Sequence, residues 1–157
     1  MKSKNKRFPR PRVVREKSCG IIVFRTENSI REYLLLHYPG GHWDYPKGHV
    51  EERDSSEKET ACRELQEETG ITKIKFIPGF REPMYYQFFR GKSELVKKTV
   101  VYFLAEVQQI DVVISFEHQG FIWLPYSEAM KKLTFENARN LLNIAEDIMQ
   151  SHTKNGY

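Results

Sequence analysis

Apolar residues recur along this chain at two spacings. From Gly20 to Leu124 they come as short runs between polar or turn-forming residues. Gly20-Ile-Ile-Val-Phe24, Glu32 to Tyr38 and Thr99 to Val107 read as buried strands, and a polar turn at Thr26 to Ser29 separates the first two. Lys73 to Phe80 alternates around Ile74, Phe76 and Phe80, with Pro78-Gly79 bending it. Glu82 to Phe89 is an aromatic strand closed by a turn at Arg90 to Ser93, and Val112 to Phe116 and Gly120 to Leu124 complete the set. After Ser127 the period changes. Ser127 to Leu133 suits a short helix. Phe135, Ala138, Leu141, Leu142, Ala145, Ile148 and Met149 mark a longer one over Glu136 to Gln150 that covers one sheet face. Strands interleaved with few helices predict an α+β domain, a mixed β-sheet sandwiched between α-helices.

One helix interrupts the strands. Ser56 followed by Glu59 is a capping-box pattern, and Gly70 is a suitable left-handed stop. Ala61, Leu65 and Cys62 give it a short apolar stripe, while Glu64, Glu67 and Glu68 gather on another side. Like charges at these spacings repel, and Glu67 and Glu68 sit at the negative end of the helix dipole. Two carboxylates about 6 Å apart at an effective dielectric of about 20 repel by roughly 3 kcal/mol. A bound divalent cation turns that repulsion into coordination, and carboxylate oxygens are the ligands Mg²⁺ prefers. A solvated glutamate-rich helix with Arg63 paired to Glu59 or Glu67 is the plainer alternative.

Composition changes the picture mainly at the N-terminus. Residues 1–17 hold eight Lys or Arg against Glu16, a balance of +7, and the remaining 140 residues carry −3. A basic arm over 1–17, broken by Pro9 and Pro11, is predicted to precede one domain over 18–152 and a tail over 153–157. Such an arm is either a solvated tail or an attraction for nucleic acid. No run of 18 apolar residues predicts a membrane span, and no apolar secretory segment is evident. Cys19 and Cys62 stand far apart and read as reduced thiols of a cytoplasmic protein.

Arg63-Glu-Leu-Gln-Glu-Glu-Thr-Gly-Ile71, with Gly48 some fifteen residues earlier and Trp43-Asp-Tyr-Pro-Lys47 before it, resembles the Nudix hydrolase signature. The resemblance implies the Nudix fold and metal-dependent hydrolysis of a nucleoside-diphosphate-linked substrate. It implies Mg²⁺, with Mn²⁺ as a substitute, on Glu67, Glu68 and the Gly48 carbonyl. Glu64 would ligate the metal or orient water, and Glu117 would be the further carboxylate from outside the helix. The loop departs from the pattern at one place. Asp54 stands where the family has Glu, and one extra residue separates it from Arg63. Since that Glu supports the motif's Arg, Asp54 or Glu57 is expected to hold Arg63.

His42 to Glu51, Lys98 to Val107 and Glu117 to Leu124 are similar to the asymmetrical diadenosine tetraphosphate hydrolases, over a similarity running from Cys19 to the last helix. That branch implies Tyr85 and Phe121 as the adenine-holding pair, Phe121 standing where tyrosine is usual. Lys47, Lys97 and Lys98 are candidate phosphate contacts, with His42 and His49 weaker ones. Tyr86, Phe88 and Phe89 are also aromatic enough to stack a base. The expected partner is a nucleoside polyphosphate. The alternative is an RNA pyrophosphohydrolase acting on triphosphorylated 5′ ends, favoured by the basic arm and opposed by the Pro-Lys-Gly-His loop. A non-catalytic binder on the same fold is opposed by the intact glutamate set.

Overall fold

The computed structural model describes Arg7 and residues 9–108, 111–115 and 117–154, with side chains to residue 152. Eleven elements follow in order. They are β1 (Arg12–Glu27), β2 (Ile30–His37), β3 (Trp43–Asp44), β4 (Lys47–His49), α1 (Glu57–Thr69), β5 (Ile74–Phe76), β6 (Glu82–Arg90), β7 (Glu94–Val107), β8 (Gly120–Pro125), α2 (Tyr126–Lys132) and α3 (Glu136–Lys154). The strands form one mixed sheet, with β1 and β7 parallel at its centre and the other pairings antiparallel.

Alternation along β1 and β7 builds a core on each face. Cys19, Ile21, Val23, Val101 and Phe103 pack with Ala61 and Leu65 of α1. Ile22, Phe24, Val100, Tyr102 and Leu104 pack with Ala138, Leu141, Leu142 and Ala145 of α3. Residues 18–24 are buried throughout because helices cover both faces, which is why they read as one apolar run. Asn28 and Ser29, both at positive φ, form the tight turn into β2.

The two hairpin strands soon part. β1 pairs with β2 only from Phe24↔Tyr33 to Glu27↔Ile30, then takes β4 at Ser18–Gly20. β2 in turn takes β3 at Leu36–His37. Residues 43–49 thus wedge the sheet open and bring Lys47-Gly48-His49 beside α1.

Four expectations are corrected. β1 begins at Arg12, so Arg12–Lys17 of the basic stretch are strand, paired with Glu94–Thr99. The alternating stretch after α1 forms a strand only over Ile74–Phe76; Ile77 N–H still donates to Leu104 O, and Gly79 at φ 79° then turns the chain. Residues 112–115 are not a strand, and Phe116 lies outside the described residues. Val113 and Ser115 instead donate their N–H groups to Thr69 O and Glu68 O, carbonyls that a helix end leaves unpaired. At the other end α3 runs to Lys154, two residues into the predicted tail, and 155–157 lie outside the described residues.

Candidate active site

α1 starts and stops where its sequence dictates. Ser56, in extended conformation, accepts the Glu59 N–H on its side chain at 3.1 Å. Glu59 reaches back one residue further than a standard capping box, accepting the Ser55 N–H at 3.0 Å. Gly70, at φ 75°, closes the helix with its N–H on Gln66 O.

Arg63 ties this helix to the glycine loop. Its Nε and Nη2 donate to the two oxygens of Asp54 at 3.0 and 2.9 Å, and Nη2 also donates to His49 O at 2.9 Å. Asp54 is therefore the partner despite the extra residue. A turn linking Asp54 and Glu51, with Asp54 N–H on Glu51 O and Glu51 N–H on the Asp54 carboxylate, accommodates it. The Arg63 guanidinium holds Asp54 well below the usual carboxylate range. Glu57 is engaged elsewhere, by Arg81 and Lys17. Arg63 Nη1 meets Glu64 at 2.9 Å and Glu67 at 3.3 Å, so one cation sits between two of the clustered carboxylates.

The three glutamates occupy different environments. Glu67 is half-exposed and also lies 3.6 Å from Arg53. Glu64 lies against Gly48 so closely that a Cβ there would fall 2.0 Å from its carboxyl carbon, which only glycine avoids. Burial raises the Glu64 pKa, and the Arg63 hydrogen bond opposes that rise. Glu68 is 7% exposed. It accepts the Lys47 N–H at 3.3 Å and the Tyr38 hydroxyl at 3.2 Å. His118 Nε2 lies 2.8 Å from Glu68 Oε2, though neither ring nitrogen has an aligned hydrogen-bond partner. Burial first, and the charge of Glu64 second, push Glu68 up to about 8. Burial also lowers His118, so the pair favours its uncharged form.

A cavity of about 320 Å³ joins Lys47 and Gly48 to Lys98, with Glu16, Tyr86, Phe88 and Arg90 among its walls. Lys98 is buried, 3.0 Å from His49 Nδ1 and 3.7 Å from Glu16, and burial lowers its pKa. Lys47 lays its ammonium 5.3 Å from the centre of the Tyr38 ring. The structure thus brings Lys47, Gly48 and Lys98 together beside the glutamates.

Other sequence candidates lie apart. His42 stacks on Tyr38 with ring centres 4.9 Å apart. Tyr85 pairs with Thr99 on the opposite sheet face from Tyr86, outside the Gly48 cavity. Phe121 is partly exposed on β8 opposite Leu36. Glu117 is exposed and forms no ion pair among the described residues. Its neighbour His118 turns inward instead, aided by a bond from its N–H to Ser115 O. Tyr38 and His118 are the residues that pattern reading missed. The order Glu117-His118 was visible, but not which of the two side chains the turn would bury.

The site's chemistry fits a hard divalent cation. Its donors are carboxylate oxygens on one helix face, and the missing side chain of Gly48 lets the loop lie against Glu64. Among the described residues no three acidic, histidine or cysteine side chains already converge in ligand geometry, as Arg63 lies between Glu64 and Glu67.

Comparison with known proteins agrees with this geometry. The NUDIX domain family profile matches residues 14–143. The rat bis(5′-nucleosyl)-tetraphosphatase [asymmetrical] is 41% identical over 138 residues, covering 80% of this chain and 90% of the relative. The pig protein of the same name is 39% identical with the same coverage. A Caenorhabditis elegans Ap4A hydrolase binary complex superposes with a TM-score of 0.77 at 31% identity, covering 87% of this chain and 98% of that one. With the signature on α1 and these matches covering 80% or more of it, the chain belongs to the Nudix family.

Proposed function

We propose that this protein is a metal-dependent pyrophosphohydrolase that cuts diadenosine tetraphosphate and related nucleoside polyphosphates by attack of water on phosphorus. The observation that carries the reaction class is the Glu64 carboxylate laid against Gly48, with Glu68 buried and accepting the Lys47 N–H. The similarity to the asymmetrical tetraphosphatases supports the substrate. Nudix hydrolases use divalent metal ions. Here Glu64, Glu67, Glu68 and the Gly48 carbonyl would hold Mg²⁺, or Mn²⁺ in its place, with Glu117 adding a further ligand. When bound, the ion supplies neutralisation of phosphate charge and activation of water.

The chain's own groups do the rest. Arg63, fixed by Asp54 and His49 O, keeps the glycine loop and the glutamates in register. Lys47 and Lys98 bring positive charge to the phosphate chain. In the reaction a water oxygen bonds to phosphorus while a bridging P–O bond breaks, its electrons leaving with the departing phosphate. The water proton passes to a carboxylate, and Glu64, raised by burial, suits that task, with Glu117 as the second candidate. Tyr85 and Phe121 are the further substrate contacts assigned from the family, and His42 is a weaker candidate from the loop itself. Tyr86 and Phe88, whose rings stack at 6.2 Å, share a cavity with Gly48 and compete with Tyr85 for the base. The free thiols Cys19 and Cys62 suit the reducing cytoplasm.

A panel of dinucleoside polyphosphates, nucleoside triphosphates and 5′-triphosphate RNA, assayed with Mg²⁺, tests the reading. Diadenosine tetraphosphate should show the highest kcat/KM and yield a mono- and a triphosphate. Faster release of pyrophosphate from RNA ends would replace this reading with the alternative one.

A further inference from the structure

Beyond α1, strands β1, β7 and β6 continue as a three-stranded extension. One of its faces turns away from the Gly48 cavity, which Arg15, Lys97 and Phe89 do not line; of its residues Tyr85 alone is a substrate contact assigned from the family. The registers Arg15↔Lys97↔Gln87 and Lys17↔Thr99↔Tyr85 place these six side chains on that face. They line a cavity of about 540 Å³ together with Glu16, Lys98 and Tyr86. Further out, Val13↔Leu95↔Phe89 continues the same face, with Phe89 65% and Val13 48% exposed. Among the described residues β6 pairs only with β7, which makes the aromatic strand an edge of the sheet.

The charge on this face is one-sided. Arg15 and Lys97 form no ion pair among the described residues. Lys17 is bridged to Glu57 at 2.7 Å, so the charge this face leaves for a ligand is that of Arg15 and Lys97. The sequence ahead of Arg12 is itself basic, with Lys2, Lys4, Lys6, Arg7 and Arg10. Tyr85 and Phe89 lie about 13 Å apart along their strand, room for more than one base between and upon them. Cations set among exposed rings on an open sheet are the chemistry that holds single-stranded nucleic acid without sequence preference. An acidic peptide would match the charge but leave the exposed rings unexplained.

We propose that this face, formed by Arg15, Lys17, Lys97, Gln87 and Phe89 with Tyr85 at its inner edge, binds a single-stranded polynucleotide. The strand's phosphates lie along Arg15 and Lys97, and a base stacks on Phe89. This surface stands apart from the glutamate site, and its occupation requires no metal.

The test measures binding of a short 5′-hydroxyl oligouridylate to the full chain by fluorescence anisotropy, in chelator, over a series of salt concentrations. Hydrolysis of diadenosine tetraphosphate is followed in separate samples containing Mg²⁺. Each cation that meets a phosphate contributes about −0.7 to the slope of log K against log salt. The double variant Arg15→Gln/Lys97→Gln should flatten the slope by roughly 1.4. Phe89→Ser should weaken binding about tenfold and leave the slope unchanged. Both variants should melt near the wild type and keep dinucleotide hydrolysis. Wild-type affinity and slope in both variants would overturn the proposal. So would a Phe89-dependent dimer that RNA does not dissociate, or equal binding of poly-aspartate that is insensitive to Phe89→Ser. Loss of hydrolysis across the substrate panel with RNA binding intact would count against the hydrolase reading alone.

Discussion

At the scale of single residues, Glu68 lies between His118, Tyr38 and the Lys47 backbone, and without a cation burial and Glu64 push it up to about 8. Its unfolded counterpart titrates near 4.5. Between those values the folded chain keeps a proton that the unfolded chain releases, so the Glu68 contribution to metal-free stability falls as pH rises from 4.5 to about 8. His118, lowered by burial, gives an opposite slope below its ordinary 6.5, so the informative quantity is the difference between wild type and Glu68→Gln. In chelator, the variant should gain stability over the wild type steadily from pH 5 to pH 8, by denaturant titration. A constant difference across that range would show that Glu68 is already ionised. Much at this scale was legible. Arg63 to Ile71 announced the site, and Asp54 was one of two named partners for Arg63. His118 and Tyr38 were not legible, because their contacts with Glu68 depend on how two distant loops pack.

At the scale of elements, α1 joins the two halves of the site through its ends. Its start was readable in Ser56 and Glu59, since a cap is a local contact set by sequence alone. Its end was only half readable. Gly70 gave the stop, but residues 112–115, apolar enough to suggest a strand, bond to the carbonyls of Glu68 and Thr69. Periodicity cannot tell a strand from a segment whose backbone partners lie on a helix end. β1 shows the converse limit, for Arg12–Lys17 carry little apolar signal and are strand because β7 lies beside them. Ser56→Ala should cost about 1 kcal/mol of stability by thermal or denaturant unfolding. A loss below a few tenths would mean that the 3.1 Å bond to Glu59 N–H contributes little.

At the scale of the whole molecule, the parting of β1 from β2 makes room for residues 43–49, and α1 closes over them. The sandwich of helices about a mixed sheet was predictable from the change of period along the chain. The wedge was not, because pairing partners are non-local. The basic stretch divides at Arg12, so deletions on either side of it should differ. Removing residues 1–11 should leave diadenosine tetraphosphate hydrolysis within about twofold, since β1 stays whole. Extending the cut through Lys17 removes six parallel pairs with β7 and the Lys17–Glu57 bridge, and should lower the melting temperature by several degrees. Equal melting of the two truncations would show that the strand's first third adds nothing to the domain. The central claim is that the α1 glutamates drive hydrolysis of a nucleoside polyphosphate through a bound divalent cation. Its most direct test is the steady-state rate on diadenosine tetraphosphate with Mg²⁺, with excess chelator, and in Glu68→Gln. The account predicts full activity only for wild type with Mg²⁺, none in chelator, and a loss of at least about a hundredfold in kcat for the variant, some 3 kcal/mol or more of transition-state stabilisation. Undiminished hydrolysis in excess chelator, or a variant as fast as the wild type, would contradict it.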